Sequence, residues 1–139
     1  MRVVIDTNII LISIPKLSPY RPIIDGVFSG KIQLGITTEI IFEYEELITR
    51  NISPAAAFIF LRELENLLNV WRKDIHFNWH LIPKDPDDNK YVDCAIAFSA
   101  DYLVTENKHF NVLKKVDFPK VNVANADQFL EILKQSDPT

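Results

Sequence analysis

Short apolar strands alternating with amphipathic helices predict an α/β protein layered on a mostly parallel sheet. "MRVVID" and "YLVT" are brief continuous apolar runs, the pattern of strands buried on both faces. Between them, longer stretches such as "EIIFEYEELITR" and "PAAAFIFLRELENLL" repeat their apolar residues with helical spacing. The 139 residues suffice for one compact domain and are too few for two. That domain is expected over residues 1–135, with a polar tail at 136–139.

In chain order, "MRVVID" is the first strand, and a loop with two prolines follows. "RPIIDGVFSG" reads as a helix, with Pro22 near its start and Gly30 at its end. "KIQLGIT" is the second strand; Thr38 then suits an N-cap and Glu39 the first turn of the next helix. Ser53-Pro54 opens a further helix, and "VWRKDIHFNWHLI" leans toward strand. Asp85-Pro86 starts a helix running through "DDNKYVDCAIAF". "YLVT" and "VNVA" are the last strands, and "ADQFLEIL" is the closing helix.

The formal charge of −4 and a pI near 5.3 argue against gripping nucleic acid by broad phosphate neutralisation. They leave room for a site where bound divalent ions supply the positive charge locally. No apolar run approaches the roughly 18 residues a membrane span needs. The start lacks a signal-peptide pattern, and the single Cys94 cannot close an intrachain disulfide, so a reducing cytoplasm is expected. Cys94 falls within a helical apolar pattern and reads as a small core hydrophobe.

In open parallel sheets, ligands bind beyond the carboxyl ends of the strands. Asp6 stands there after "VVI", and "TEN" (residues 105–107) stands there after "YLV". A carboxylate at Asp6 is expensive unless paired; it either caps the next backbone turn, a role Asn8 could share, or works in a site. Asp85 and Asp87 are accounted for by capping and the helix dipole. Asp88 differs, because 88, 92, 95 and 99 share the inner helix face with Val92 and Ala95. Asp93 lies well around that helix, and its reading divides between a solvated flank and an auxiliary site role. Among Glu43, Glu45 and Glu46, periodicity does not choose.

His76 and His80 are four apart, but along a strand that is roughly 13 Å, too far for one ion. Trp71 and Trp79 read as core or interface residues. Carboxylates without histidine or cysteine select a hard cation, Mg²⁺ or Mn²⁺, and such sites do phosphate-ester chemistry.

"VVIDTNII", "TTEIIFEYEELITR" and "DPDDNKYVDCAIAFSADYLVTENKHF", in this order and spacing, resemble the PIN-domain ribonucleases, closest to the VapC-like toxins of toxin–antitoxin systems. The likeness covers almost the whole chain. It implies a three-layer α/β/α sandwich with an acidic pocket for Mg²⁺ or Mn²⁺, and a metal-dependent endoribonuclease acting on RNA. It places the metal-holding acids on Asp6, Glu43 and Asp88, with Asn8, Thr105 and Asn107 beside them and Asp93 in support. The family's fourth acid falls on Asn107, which carries no charge; Glu106 or Asp93 are candidates to compensate. Lys84, Lys90 and Lys108 are candidates to track the RNA backbone. A small antitoxin partner and a homodimer are further implications, and no membrane partner is expected. Two rival readings are a non-catalytic PIN-like module that binds RNA or protein, and a phosphatase with Asp6 as nucleophile. The second lacks the usual acid/base, since Asn8 stands there.

Overall fold

The computed structural model describes residues 1–136. Strands β1 (Arg2–Ile5), β2 (Gln33–Ile36), β3 (Val70–Arg72), β4 (Tyr102–Val104) and β5 (Val123–Ala124) form one sheet. Their order is β3-β2-β1-β4-β5, and every neighbouring pair is parallel. Helices α1 (Thr7–Ser13), α2 (Arg21–Phe28), α3 (Thr38–Asn51), α4 (Pro54–Glu65), α5 (Asn89–Phe98) and α6 (Ala126–Gln135) complete a three-layer α/β/α sandwich. None of these helices is long and apolar enough to cross a membrane.

The central strand explains the first apolar run. Val3, Val4 and Ile5 are fully buried, so both faces of β1 need apolar side chains. Burying each contributes about 1.5–3 kcal/mol. Helix α5 packs across β1, β2 and β4, where Gly35 of β2 leaves the space filled by the Phe98 ring. Cys94 is buried within this core, as its apolar context implied.

Register positions the functional rim. Ile5 pairs with Val104, the Asp6 N–H donates to the Val104 carbonyl at 3.0 Å, and the Thr105 N–H donates to Ala124 at 2.9 Å. Asp6 and Thr105 therefore leave the sheet on neighbouring strands. The buried Tyr44 hydroxyl donates to the Ile5 carbonyl at 2.6 Å, which fixes α3 against the end of β1. Its neighbour Glu43 is carried to the same place.

Several local expectations change. Residues 7–13 form helix α1 where a loop was expected; Asp6 is its N-cap, and Ile9 and Ile10 turn into the core. The α3 cap is Thr37, one residue earlier than expected, its hydroxyl accepting from the Ile40 N–H. Ser53 caps α4 as expected. Only Val70–Arg72 of the β-leaning stretch pairs as a strand; residues 73–85 are irregular, so the strand spacing assumed for His76 and His80 does not hold. Asp85 does cap the next element, but Pro86–Asp88 form a 3-10 turn before α5 begins at Asn89. Lys108–Lys115 form a 3-10 stretch not foreseen from sequence. Of the expected polar tail, only Ser136 is described; residues 137–139 lie outside the described residues.

Candidate active site at the carboxyl rim of the sheet

Asp6 follows the last residue of β1, and at 6% exposure its carboxylate is nearly removed from water. Oδ2 accepts from the Thr105 hydroxyl at 2.7 Å, and Oδ1 accepts from the Asn8 N–H at 3.4 Å. Burial pushes its carboxyl above the usual carboxylate range, and the charges of Glu43 and Asp88 add to the rise. The hydrogen bonds from Thr105 and Asn8 oppose it without cancelling it. Asn8 itself is exposed and reaches Asp6 through its backbone.

Glu43 projects from α3 and is held at both oxygens. Oε2 accepts from the Thr7 hydroxyl at 2.7 Å, and Oε1 faces the Lys90 ammonium at 3.1 Å. Thr7 is in turn hydrogen-bonded to the buried Tyr91 hydroxyl, through both its own hydroxyl and its N–H. Structure thus selects among the three glutamates: Glu46 pairs with Arg50 on the surface, and Glu45 lines a groove between α3 and α4.

Asp88 ends the 3-10 turn with its side chain 14% exposed, turned inward as the helical-face reading expected. Its Oδ2 accepts from the Asn107 amide at 3.1 Å and lies 3.4 Å from His109 Nδ1. Burial and the neighbouring Asp85 charge raise its pKa, against the opposing pull of His109 and Lys90.

The corner holding Asn107 is built differently from expectation. Its side-chain carbonyl accepts from the His109 N–H at 2.9 Å, capping the 3-10 stretch, while its amide holds Asp88. The carbonyl is therefore engaged, and Asn107 acts here as a brace. Neither suggested compensating acid joins it. Glu106 accepts from the Ala126 N–H at the start of α6, at 2.8 Å. Asp93 is buried, accepts from the Trp79 N–H at 3.1 Å, and has Glu39 and His80 as its charged neighbours. It lines a cleft of about 350 Å³ shared with Lys73, His80 and Lys90. Asp6, Glu43 and Asp88 are brought together; Asp93 is not among the charges that act on Asp6.

Lys90 turns inward rather than out to solvent. Its side chain is 10% exposed, and its ammonium bridges Glu43 and Asp87, the latter at 3.3 Å. Sequence reading missed this orientation, and missed Thr7, Tyr91 and His109. The signal for His109 was there, two residues past Asn107 in "NKHF".

The donor set fits a hard divalent cation. The converging groups are carboxylate oxygens, and repulsion among them raises the Asp6 pKa, so the pocket carries unbalanced negative charge.

The PIN domain family matches residues 2–109. No curated protein sequence matches the chain significantly. Among solved structures, the fold is similar to a chain in the crystal structure of VapBC2 from Rickettsia felis bound to a DNA fragment from their promoter. That likeness has a TM-score of 0.61 at 18% identity, covering 90% of this chain and 98% of the other. A family match over more than half of its length, with the same fold, shows that this chain belongs to the PIN-domain family.

Proposed function

We propose that this chain is a metal-dependent endoribonuclease, the toxin of a toxin–antitoxin pair. The observation that carries the reading is the convergence of Asp6, Glu43 and Asp88 from three separated segments on one rim, with their charge unbalanced. In this reading the three carboxylates hold Mg²⁺ or Mn²⁺ directly or through waters. Such an ion supplies a water of lowered pKa and neutralises charge developing on the phosphate oxygens.

The chain's own groups set the geometry. Thr105 orients Asp6, Thr7 and Lys90 orient Glu43, and Asn107 orients Asp88. Fixing all three carboxylates in advance removes much of the entropic cost of aligning an attacking group with phosphorus. Lys84 and Lys108 are exposed near the rim and are the side chains offered to the RNA backbone. Lys90 is committed to Glu43 and belongs to the site's scaffold instead. The fold shared with a chain of VapBC2 supports a partner antitoxin, and a homodimer belongs to the same proposal.

A second reading has one observation in its favour: the uncharged, engaged Asn107 at the fourth corner suits a PIN-like module that binds RNA without cutting it. Incubating the purified protein with single-stranded RNA separates the two. Cleavage that needs Mn²⁺ or Mg²⁺, stops with EDTA and returns on re-addition supports the nuclease. RNA binding without cleavage under either ion favours the module.

A further inference from the structure

The geometry points to a second cation position beside the first, built by Asp85, Asp88 and His109 and selective for a first-row transition dication over Mg²⁺. It deepens the proposed function and rests on its premise that the rim takes a divalent ion. The carboxylate oxygens of Asp85 and Asp88 and a ring nitrogen of His109 all lie within 4.8 Å of one another. Donors about 2.1 Å from one ion stand roughly 3–4.2 Å apart, so small side-chain rotations close this set around a cation.

Three further features make this the place. First, Glu43, at the other side of the pocket, already has a cation, the Lys90 ammonium at 3.1 Å. On the side of Asp88 the pairing group is the half-exposed His109 ring, with Nδ1 at 3.4 Å, a cation only when protonated. Second, Asn107 fixes both walls at once: its amide holds Asp88 Oδ2 while its carbonyl holds the His109 N–H. Third, one Asp85 oxygen caps the turn through the Asp87 N–H at 3.2 Å, which orients the carboxylate and leaves its second oxygen for a ligand.

The donor chemistry sets the selectivity. Mg²⁺ prefers oxygen alone, whereas an imidazole nitrogen suits transition ions, and two carboxylates with one imidazole suit Mn²⁺. Asp88 is shared by both positions, as bridging carboxylates are in two-ion phosphodiester sites. His109 thus takes up the ligand role that an acid at position 107 does not fill.

Mn²⁺ titration with pulsed EPR, on wild type, His109→Gln and Asp6→Asn, tests this. Expected for wild type are two equivalents of Mn²⁺ and a nitrogen hyperfine coupling that resists at least about tenfold more competing Mg²⁺ than the uncoupled ion does. His109→Gln drops to one equivalent and loses the coupling; Asp6→Asn keeps it. Wild type and His109→Gln binding Mn²⁺ alike, with no nitrogen coupling in either, overturns the inference and leaves the acidic pocket standing. No Mn²⁺ uptake by wild type overturns both. Because His109 is 43% exposed, its replacement leaves the core untouched, and a circular-dichroism melt confirms the fold.

Discussion

Replacing Asp6 by asparagine is expected to abolish RNA cleavage while making the apo protein more stable at neutral pH. Removing one carboxylate from a metal pocket forfeits several kcal/mol of charge stabilisation, and about 4 kcal/mol corresponds to a roughly thousandfold slower reaction. Asparagine keeps the shape: it is as good an N-cap for α1, and its carbonyl can still accept from the Thr105 hydroxyl.

The stability effect follows from the direction of the pKa. Burial first, and then the charges of Glu43 and Asp88, hold the Asp6 pKa above its ordinary value of 3.8. A carboxyl raised in this way binds its proton more readily in the folded chain than in the unfolded one. Its contribution to stability therefore falls as pH rises through the folded value, and at neutral pH the charged form is a cost. In EDTA at neutral pH the Asp6→Asn protein melts higher than wild type, and the gap narrows as pH falls toward that ordinary value. Melting scans across that range check the sign. A variant that melts well below wild type at neutral pH, or cleaves RNA at the wild-type rate, contradicts the role given to Asp6.

Gly35→Ala is expected to destabilise the fold by about 1–3 kcal/mol through overpacking. A Cβ there meets Phe98 ring carbons at 2.4 and 2.8 Å, and Phe98 is buried between α5 and the sheet. The ring must move, and α5 with it. Asp88 stands at the opposite end of that helix, so metal affinity weakens along with stability. A smaller side chain at position 98 relieves the clash: Gly35→Ala/Phe98→Leu is less destabilised than the sum of its single variants, as coupled neighbours require. Chemical denaturation of the four proteins measures this. Strict additivity shows that Gly35 is not held by the Phe98 contact.

Much of the fold was legible because burial writes itself plainly into central strands. β1 and β4 need apolar side chains on both faces, and a short unbroken apolar run bounded by polar residues is the direct result. Ser53 with Pro54 announced α4 through local capping chemistry alone. Helix α1 was not legible. "TNIILIS" is seven residues of mixed β-branched and apolar character, a length at which strand, helix and loop share one pattern, and the prolines beyond it favoured loop. Residues 73–85 failed for the opposite reason. Their aromatic and apolar residues fit a strand, but only Val70–Arg72 find a partner in β2.

The site divides along the same line. Asp88 could be chosen because a helical face is a local property, and its inward turn survived even though the local geometry proved to be a 3-10 turn. Glu43 could not be chosen by periodicity, since what singles it out is Thr7 and Lys90, thirty-six and forty-seven residues away in sequence. The same holds for Asn107. Position suggested a ligand, while its actual bonds to Asp88 and His109 depend on two elements meeting.

The proposed nuclease depends above all on Asp6 and Asp88 holding a divalent ion together. Calorimetric titration of Mn²⁺ into metal-free wild type, Asp6→Asn and Asp88→Asn measures that sharing. Expected are tight uptake by wild type and the loss of at least one equivalent in each variant, with Asp88→Asn, the shared ligand, losing more. Titrations of both variants that match wild type in stoichiometry and affinity would contradict it, because the two carboxylates would then share no ion.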